Sequence, residues 1–300
     1  MNYISPAPLA KGDTIGLVTP SSPMQKGRLE VGVRYLEQKG FNLKVGQHVH
    51  DADRFLAGKD ADRAKDIMDF FYDPDVKAII ATGGGYGAQR ILPFLDMEWI
   101  RANPKWVTGF SDTTALQLGL LSKANLITCT GFVFRDLDSD SIEPLIEKTL
   151  MACLSGEAWQ INEGVSLIPG LVEGALIGGN LGCLVSLIGT PYQPKFEHCI
   201  LLIEEVWSEP YKIDSMLSQL ELAGVFKKIS GLIWGQFERC DAQHFPERDG
   251  TADDVVTEWS ARINVPCIKD FPYGHSDRRC VLPIGRKVML NAESCVLSIP

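Results

Sequence analysis

Short apolar runs alternate with amphipathic segments through the first half of the chain, and this alternation limits the possible folds more than any other feature. The apolar runs at residues 13–19, 41–45 and 77–82 are typical of strands, whereas residues 28–38 and 60–72 carry apolar side chains at helical spacing. Parallel strands need crossover connections, which helices supply. The pattern therefore predicts an α/β fold with a mostly parallel sheet and helices on both of its faces.

A polar stretch at residues 136–162 interrupts this alternation and predicts a domain boundary. Beyond it, apolar runs that indicate strands occur at residues 200–203, 231–234 and 287–290. Residues 213–225 carry apolar side chains on one face of a helix. We therefore expect two domains, residues 1–150 with the parallel sheet and residues 165–300 with a smaller, β-rich α+β fold.

The charge balance excludes some classes of partner. The 300 residues include 38 acidic and 29 basic side chains, a formal net charge of −9. A chain of this charge without a dense Lys/Arg block is expected to bind neither nucleic acid nor an anionic membrane. It has no apolar stretch of membrane-spanning length and no export signal at its start, so we expect a cytoplasmic location and no membrane partner.

The eight cysteines show no redox or metal-binding spacing. None forms a Cys-x-x-Cys pair, and no short His/Cys series has the spacing of a zinc site. We expect free, mostly buried thiols and no bound metal. Cys280 is an alternative nucleophile, but its apolar neighbours favour an inert buried thiol.

Residues 105–114 carry the strongest catalytic signal. An apolar strand ends in Gly-Phe-Ser, with the serine at position 111, and a helical segment follows at once. This is typical of a nucleophile elbow, in which a sharp turn presents a serine hydroxyl and the next N–H faces a developing oxyanion. Thr113 stands where the usual elbow has its second glycine, so a helix merely capped by Ser111 or Asp112 is the alternative.

Glycines at positions 83, 84, 85 and 87 follow the strand at residues 77–82. Without side chains they leave backbone N–H groups uncovered and allow a ligand to approach closely. Gly83, Gly85 and Ala88 fit a dinucleotide-binding G-x-G-x-x-A pattern weakly. The alternatives are a loop that supplies an oxyanion donor and a tight turn that binds nothing.

Two further segments carry an acid and a histidine. Glu204 and Glu205 end an apolar strand and point to opposite faces, so only one of them can face a pocket. His275 lies in a loop between a glycine and a serine. With Ser111 they give the chain order serine, acid, histidine, which a catalytic triad can use if folding brings the three together.

Five segments carry a family resemblance. They read GGGYGAQRILPFLD (83–96), GFSDTTALQLGLLSKANLIT (109–128), GGNLGCLVSLIGTPYQP (178–194), LLIEEVWSEPYKIDSMLSQLELAGVF (201–226) and GHSDRRCVLPIG (274–285). In these segments and their order the chain closely resembles the LD-carboxypeptidases, also called muramoyltetrapeptide carboxypeptidases or S66 serine peptidases. The resemblance implies a Rossmann-like N-terminal domain followed by a smaller, β-rich C-terminal domain.

The resemblance also implies an activity. By position, it makes Ser111 the nucleophile, Glu204 the acid and His275 the base of a triad. The implied reaction hydrolyses an L,D-peptide bond and releases a C-terminal D-amino acid such as D-Ala from a murein tetrapeptide, as in peptidoglycan recycling. It needs no metal and no organic cofactor, and the family resemblance implies a homodimer.

The oxyanion donors implied by the resemblance are the N–H of Asp112 and an N–H of Gly84 or Gly85. The sequence departs from the family pattern at two positions, where the family often has arginine and this chain has Gly83 and Ser215. If either arginine holds substrate charge, these departures change peptide preference and leave the triad intact.

Specificity and function class leave alternatives open. An exopeptidase recognises a free carboxylate, which usually calls for a cation, and Arg278 and Arg279 follow His275 in the same loop. We expect one of these arginines to bind the terminal carboxylate. The alternative functions are a self-immunity hydrolase of peptidyl or aminoacyl adenylates, on the same scaffold, and a non-enzymatic nucleotide- or ligand-binding protein built on the glycine loop.

Overall fold

The computed structural model describes residues 3–25, 27, 29–137 and 142–300. The chain forms two compact units, each assembled from two segments. The first unit contains Met1–Glu157 and Val281–Gly285, and the second contains Ala158–Cys280 and Arg286–Pro300. Within the described residues, no helix combines the length and the apolar character needed to cross a membrane.

The secondary-structure elements are numbered along the chain. The strands are β1 (Thr14–Val18), β2 (Asn42–Val45), β3 (Val76–Ala81), β4 (Trp106–Gly109), β5 (Thr128–Thr130), β6 (Trp159–Asn162), β7 (Val165–Ile168), β8 (Leu171–Asn180), β9 (Ile200–Val206), β10 (Gly231–Glu238), β11 (Cys267–Lys269), β12 (Leu282–Ile284), β13 (Lys287–Asn291) and β14 (Val296–Ile299). The helices are α1 (Leu29–Gln38), α2 (Asp60–Tyr72), α3 (Ala88–Ile91), α4 (Met97–Ala102), α5 (Thr114–Ala124), α6 (Pro144–Ser155), α7 (Leu181–Ser186), α8 (Pro210–Leu222) and α9 (Ala252–Ile263).

The first unit is built on a six-stranded sheet in the order β12-β5-β4-β3-β1-β2. Strands β1 to β5 pair in parallel, which confirms the predicted α/β fold. The helix predicted at residues 60–72 is α2, and that predicted at 28–38 is α1, with position 28 outside the described residues. Strand β3 is almost wholly buried, as expected for a parallel strand covered on both faces.

The strand order reverses between β1 and β3, because the chain runs from β1 outward to β2 and then crosses to the other side of β1. In open parallel sheets a crevice forms at such a reversal, beside the carboxyl ends of the strands. The segments that leave β1, β3 and β4 all start at this edge. They contain residues 20–25, the glycine loop and Ser111 respectively.

The second unit is built on an eight-stranded sheet in the order β6-β14-β13-β8-β9-β10-β11-β7. Its centre is parallel from β8 through β11, and its outer strands are antiparallel, which confirms the predicted β-rich α+β fold. The central strand β9 carries Glu204 and Glu205.

Residues 281–285 belong to the first unit, although the sequence pattern assigned them to the second domain. The reason is the antiparallel pairing of β12 with β5, in which Leu282 lies opposite Thr130. This strand of three residues closes the sheet edge beyond β5. A pairing between segments some 150 residues apart leaves no trace in local periodicity.

Candidate active site

Ser111 lies in a strained turn between β4 and α5. Its φ is +64°, a region that residues with side chains seldom occupy. The 3₁₀ turn Ser111–Thr113 leads directly into α5. Such strain in a serine between a parallel strand and a helix is typical of a nucleophile elbow.

Gly109 makes this turn sterically possible. A Cβ at position 109 would overlap the Oγ1 of Thr113. The Thr113 hydroxyl donates a hydrogen bond to the Phe110 carbonyl at 3.0 Å, within the turn itself. Thr113 therefore fits where the usual elbow has its second glycine, because Gly109, on the strand side of the turn, has no side chain to collide with the Thr113 hydroxyl.

The glycine loop after β3 lies against the serine. A Cβ at Gly84 would come 2.9 Å from Ser111 Cβ and 3.2 Å from Ser111 Oγ. Gly85 has a φ of +114°, and a side chain there would overlap Ser22. The Ser22 N–H donates to the Gly84 carbonyl at 3.3 Å, and the Ser22 hydroxyl accepts from the Tyr86 N–H at 3.1 Å. Ser22, which the sequence analysis did not single out, thus fixes the loop beside the nucleophile.

The carboxylate of Asp112 has a structural partner. Its Oδ2 accepts the Ala88 N–H at 2.8 Å, and the side chain is buried. This bond joins the elbow to the first residue of α3, the short helix that follows the glycine loop. The side chain of Asp112 therefore positions the loop, and its main-chain N–H is the group that remains a predicted oxyanion donor.

Arg63 is a second support of the glycine loop that the sequence analysis missed. The side chain is fully buried, and its Nη1 donates to the carbonyls of Pro20 and Gly87. Its Nη2 donates to Asp60 at 2.5 Å. One guanidinium therefore connects the segment after β1 with the segment after β3, on the two sides of the reversal in strand order.

Glu204, which is buried, and His275, which is partly exposed, form an acid–imidazole pair in the second unit. Glu204 Oε2 lies 2.7 Å from His275 Nδ1, and the exposed fractions of the two side chains are 0% and 15%. The second oxygen, Oε1, has no hydrogen-bond partner among the described residues. A carboxylate in this position fixes the imidazole's tautomer and orientation and stabilises its protonated form.

Two glycines let the histidine loop approach β10. A Cβ at Gly235 would overlap the Tyr273 carbonyl, and a Cβ at Gly274 would lie 2.9 Å from Gln236 Cβ. The Gln236 N–H donates to the Tyr273 carbonyl at 2.8 Å. The loop is therefore attached to the strand next to β9, and this attachment carries His275 to Glu204.

Glu205 points to the opposite side of β9. Its carboxylate accepts the N–H groups of Gly182 at 2.9 Å and Val206 at 2.8 Å, and the side-chain amide of Asn180 at 3.4 Å. Burial raises the pKa of Glu205 above its ordinary value, and the two backbone hydrogen bonds oppose that shift. Glu205 therefore supports the first turn of α7.

The two arginines predicted to bind a substrate carboxylate both have protein partners. Arg278 is paired with Glu163 through both terminal nitrogens, at 2.5 and 2.7 Å. Arg279 is 8% exposed, and its Nη1 donates to the Ser276 carbonyl at 3.2 Å.

The cysteines are free, as predicted, and most are buried. Burial raises the pKa of Cys240 to about 11 and that of Cys199 to about 12. Thiols with such pKa values are protonated at neutral pH and are poor nucleophiles.

One group of side chains in the described residues could hold a metal ion. Ligand atoms of His48, Asp51 and Asp62 lie within 4.8 Å of one another. His48 Nδ1 is 2.9 Å from Asp51 Oδ2, and this hydrogen bond raises the pKa of His48. The group has no short Cys/His spacing that would mark it in the sequence, because its residues come from a loop and from α2. None of them belongs to the predicted triad.

Comparison with known proteins decides the family. Residues 15–131 match the LD-carboxypeptidase N-terminal domain, and residues 173–290 match the LD-carboxypeptidase C-terminal domain. The chain belongs to the LD-carboxypeptidase family. Members of this family are hydrolases, and this protein is an enzyme of that class.

Three relatives show the range of the family. The probable murein peptide carboxypeptidase of Bacillus subtilis is 32% identical, over 97% of this chain and 92% of that protein. The microcin C7 self-immunity protein MccF of Escherichia coli is also 32% identical, over 98% of this chain and 94% of that protein. The crystal structure of muramoyltetrapeptide carboxypeptidase from Oxalobacter formigenes matches with a TM-score of 0.87 and 25% identity, covering 95% of this chain and 98% of that one.

Proposed function

We propose that this LD-carboxypeptidase is a serine peptidase that hydrolyses an L,D-peptide bond and releases a C-terminal D-amino acid, D-Ala, from a murein tetrapeptide. The observation that carries the proposal is the 2.7 Å contact between the buried Glu204 carboxylate and His275. A fully buried carboxylate on an imidazole needs a functional reason, since burying a charge is costly. A triad completed by Ser111 supplies that reason.

In the proposed mechanism, Ser111 Oγ attacks the carbonyl of the L,D-peptide bond while His275 accepts the hydroxyl proton at Nε2. The main-chain N–H groups of Asp112 and of Gly84 or Gly85 stabilise the oxyanion. His275 then gives the proton to the amine of the departing D-amino acid, which leaves an ester on Ser111. Water activated by His275 hydrolyses this ester and restores the enzyme.

The second candidate function is hydrolysis of a peptidyl or aminoacyl adenylate. The likeness to the self-immunity protein favours it, because that relative is as similar in sequence as the murein peptidase. Both reactions break an acyl bond and can use the same nucleophile, so the triad does not discriminate between them.

The discriminating experiment compares kcat/KM of the purified protein on a murein tetrapeptide and on an aminoacyl adenylate, with products followed by mass spectrometry. The proposal requires D-Ala release from the tetrapeptide with the larger kcat/KM. Preferential cleavage of the adenylate would make the immunity-type activity the better assignment. The cytoplasmic location expected from the sequence stays a prediction, and so does the homodimer implied by the resemblance.

A further inference from the structure

A cavity of about 220 Å³ lies in the first unit at the reversal in strand order. Its walls come from the segment after β1, from the glycine loop and from Arg135; the lining residues are Ser22, Pro23, Met24, Gln25, Thr82, Gly83, Gly84, Gly85 and Arg135. Among the described residues of this lining, Arg135 is the one that carries a charge. These walls of the cavity therefore carry a positive charge, and the cavity adjoins the nucleophile because Gly84 lies against Ser111.

The main chain of Arg135 is firmly held. It lies in the short 3₁₀ turn Phe134–Asp136, after β5. Its N–H donates to the Thr82 carbonyl at 3.0 Å, and the preceding side chain, Phe134, is fully buried. The Asp136 carboxylate accepts the Val133 N–H at 2.9 Å and closes the turn. The arginine is thus projected from a fixed position beside the end of β3.

The side chain of Arg135 extends over Gly83. A Cβ at Gly83 would lie 3.5 Å from Arg135 Cδ and 3.8 Å from Nη1. Arg135 itself is exposed, and among the described residues no carboxylate forms an ion pair with it. Arg278, in contrast, already holds Glu163. Arg135 is therefore a cation over the glycine loop that contacts Ser111, and no described carboxylate occupies its donors.

We propose that Arg135 binds a carboxylate of the substrate and is a specificity-determining residue of this enzyme. Its planar fork can hold both oxygens of one carboxylate, and the open position over Gly83 leaves room for this geometry. The inference rests on the proposed function, since that function supplies a peptide with a carboxylate near the bond cleaved at Ser111. The inference assigns binding of a substrate carboxylate to Arg135, in the turn after β5, instead of to Arg278 or Arg279 in the histidine loop.

The test measures dissociation constants by calorimetry in a Ser111→Ala background, which prevents turnover. Three peptides are compared: the tetrapeptide acid, its C-terminal amide, and a form amidated at a side-chain carboxylate. Arg135→Gln is expected to raise the dissociation constant of the acid roughly tenfold, the effect of losing one charge-assisted contact. Arg135→Gln should leave unchanged the dissociation constant of the amidated peptide that already lacks the carboxylate bound by Arg135. The peptide that shows no change therefore identifies this carboxylate. Arg135→Lys, which keeps the charge without the fork, should fall between the two.

Arg101→Gln is the matched control, because Arg101 is an exposed arginine on α4 of the same unit. It should change none of the constants. The inference is overturned if Arg135→Gln leaves the affinity for the acid unchanged, if it weakens all three peptides equally, or if the acid does not bind at all. Turnover by the Ser111 enzyme is recorded separately. If the Ser111 enzyme releases D-Ala but Arg135→Gln leaves the affinity for the acid unchanged, the role of Arg135 is rejected and the proposed function stands. If the acid binds through Arg135 but the Ser111 enzyme releases no D-Ala, the proposed function is rejected and the role of Arg135 stands.

Discussion

At the scale of single residues, two adjacent glutamates on β9 have different environments. Among the described residues, one Glu204 oxygen contacts His275 and the other has no hydrogen-bond partner, whereas Glu205 accepts three hydrogen bonds around the start of α7. The sequence shows that the two side chains point to opposite faces. It does not show which face holds the histidine, because that depends on a loop some 70 residues later in the chain.

Glu204→Gln is expected to lower kcat on the order of 10⁴-fold, since an amide can neither orient the imidazole correctly nor stabilise its protonated form. Steady-state kinetics on the L,D-peptide measure this effect. The melting temperature should change little, because the replacement keeps the shape of the side chain. A variant with normal kcat would remove Glu204 from the mechanism.

Glu205→Gln is expected to lower stability and leave kcat within a few-fold of the parent enzyme. The amide nitrogen would face either the Gly182 or the Val206 N–H, leaving a buried donor unsatisfied at a cost of about 1–3 kcal/mol. Urea unfolding followed by circular dichroism measures this cost. A large loss of kcat in a stably folded Glu205→Gln protein would contradict the separation of roles.

At the scale of elements, the elbow and the glycine loop were recognisable from sequence because both depend on local backbone demands. A glycine before a turn and a run of glycines after a strand are visible without a structure. Their mutual support was not visible, since Ser22 and Arg63 reach the loop from other segments. The close contact of Gly84 with Ser111 likewise arises only when β3 and β4 pair.

Gly84→Ala should sharply reduce kcat, by about tenfold or more, because its methyl group would come 2.9 Å from Ser111 Cβ and force the elbow or the loop to shift. Gly182→Ala is the control, since Gly182 lies on α7 of the second unit and its nearest contact would be an ordinary 3.4 Å to the Glu205 carboxylate. Kinetics and melting curves of the two variants are compared. If both substitutions lowered kcat equally, the contact between the glycine loop and Ser111 would not explain the loss of activity.

At the scale of the whole molecule, the β/α alternation predicted the parallel sheet of the first unit, because buried parallel strands and their crossover helices have strong local patterns. The assignment of residues 281–285 to the first unit was not predictable in this way. The proposed triad was equally hard to predict from local patterns. Ser111 belongs to one unit and Glu204 with His275 to the other, so family resemblance rather than spacing connected them.

The pH dependence of global stability should report on Lys105, which is 8% exposed and donates to the carbonyls of Phe70, in the last turn of α2, and of Asp73, just after that helix. Burial lowers the pKa of Lys105 to about 8, below its value near 10.5 in the unfolded chain. Between these values the unfolded chain binds the proton and the folded one does not. Stability from this group is thus present above about pH 10.5 and lost as pH falls through 8.

The free energy of unfolding of wild type relative to Lys105→Met should therefore rise by an amount on the order of 1–2 kcal/mol from pH 7.5 to 9.5. Urea titrations at the two pH values give this difference, in which the other titrating groups cancel. A difference that stays constant or falls with pH would show that Lys105 remains charged in the folded protein.

Removal of metal should leave catalysis intact, because the proposed reaction uses the serine, the histidine and backbone donors. Incubation with EDTA is expected to change kcat/KM by less than about twofold, and His48→Ala, which disrupts the His48, Asp51 and Asp62 group, should behave in the same way. Loss of activity with EDTA that returns on adding zinc would favour a metallopeptidase.

Mass-spectrometric detection of D-Ala released from a murein tetrapeptide shows whether Ser111 is the nucleophile of an L,D-peptidase. Wild type and Ser294→Ala, which alters an exposed serine in the turn before β14, should release it at similar rates. Ser111→Ala should lose activity by about 10⁴-fold or more while keeping the same circular dichroism spectrum. Near-normal D-Ala release by folded Ser111→Ala protein would contradict the serine mechanism.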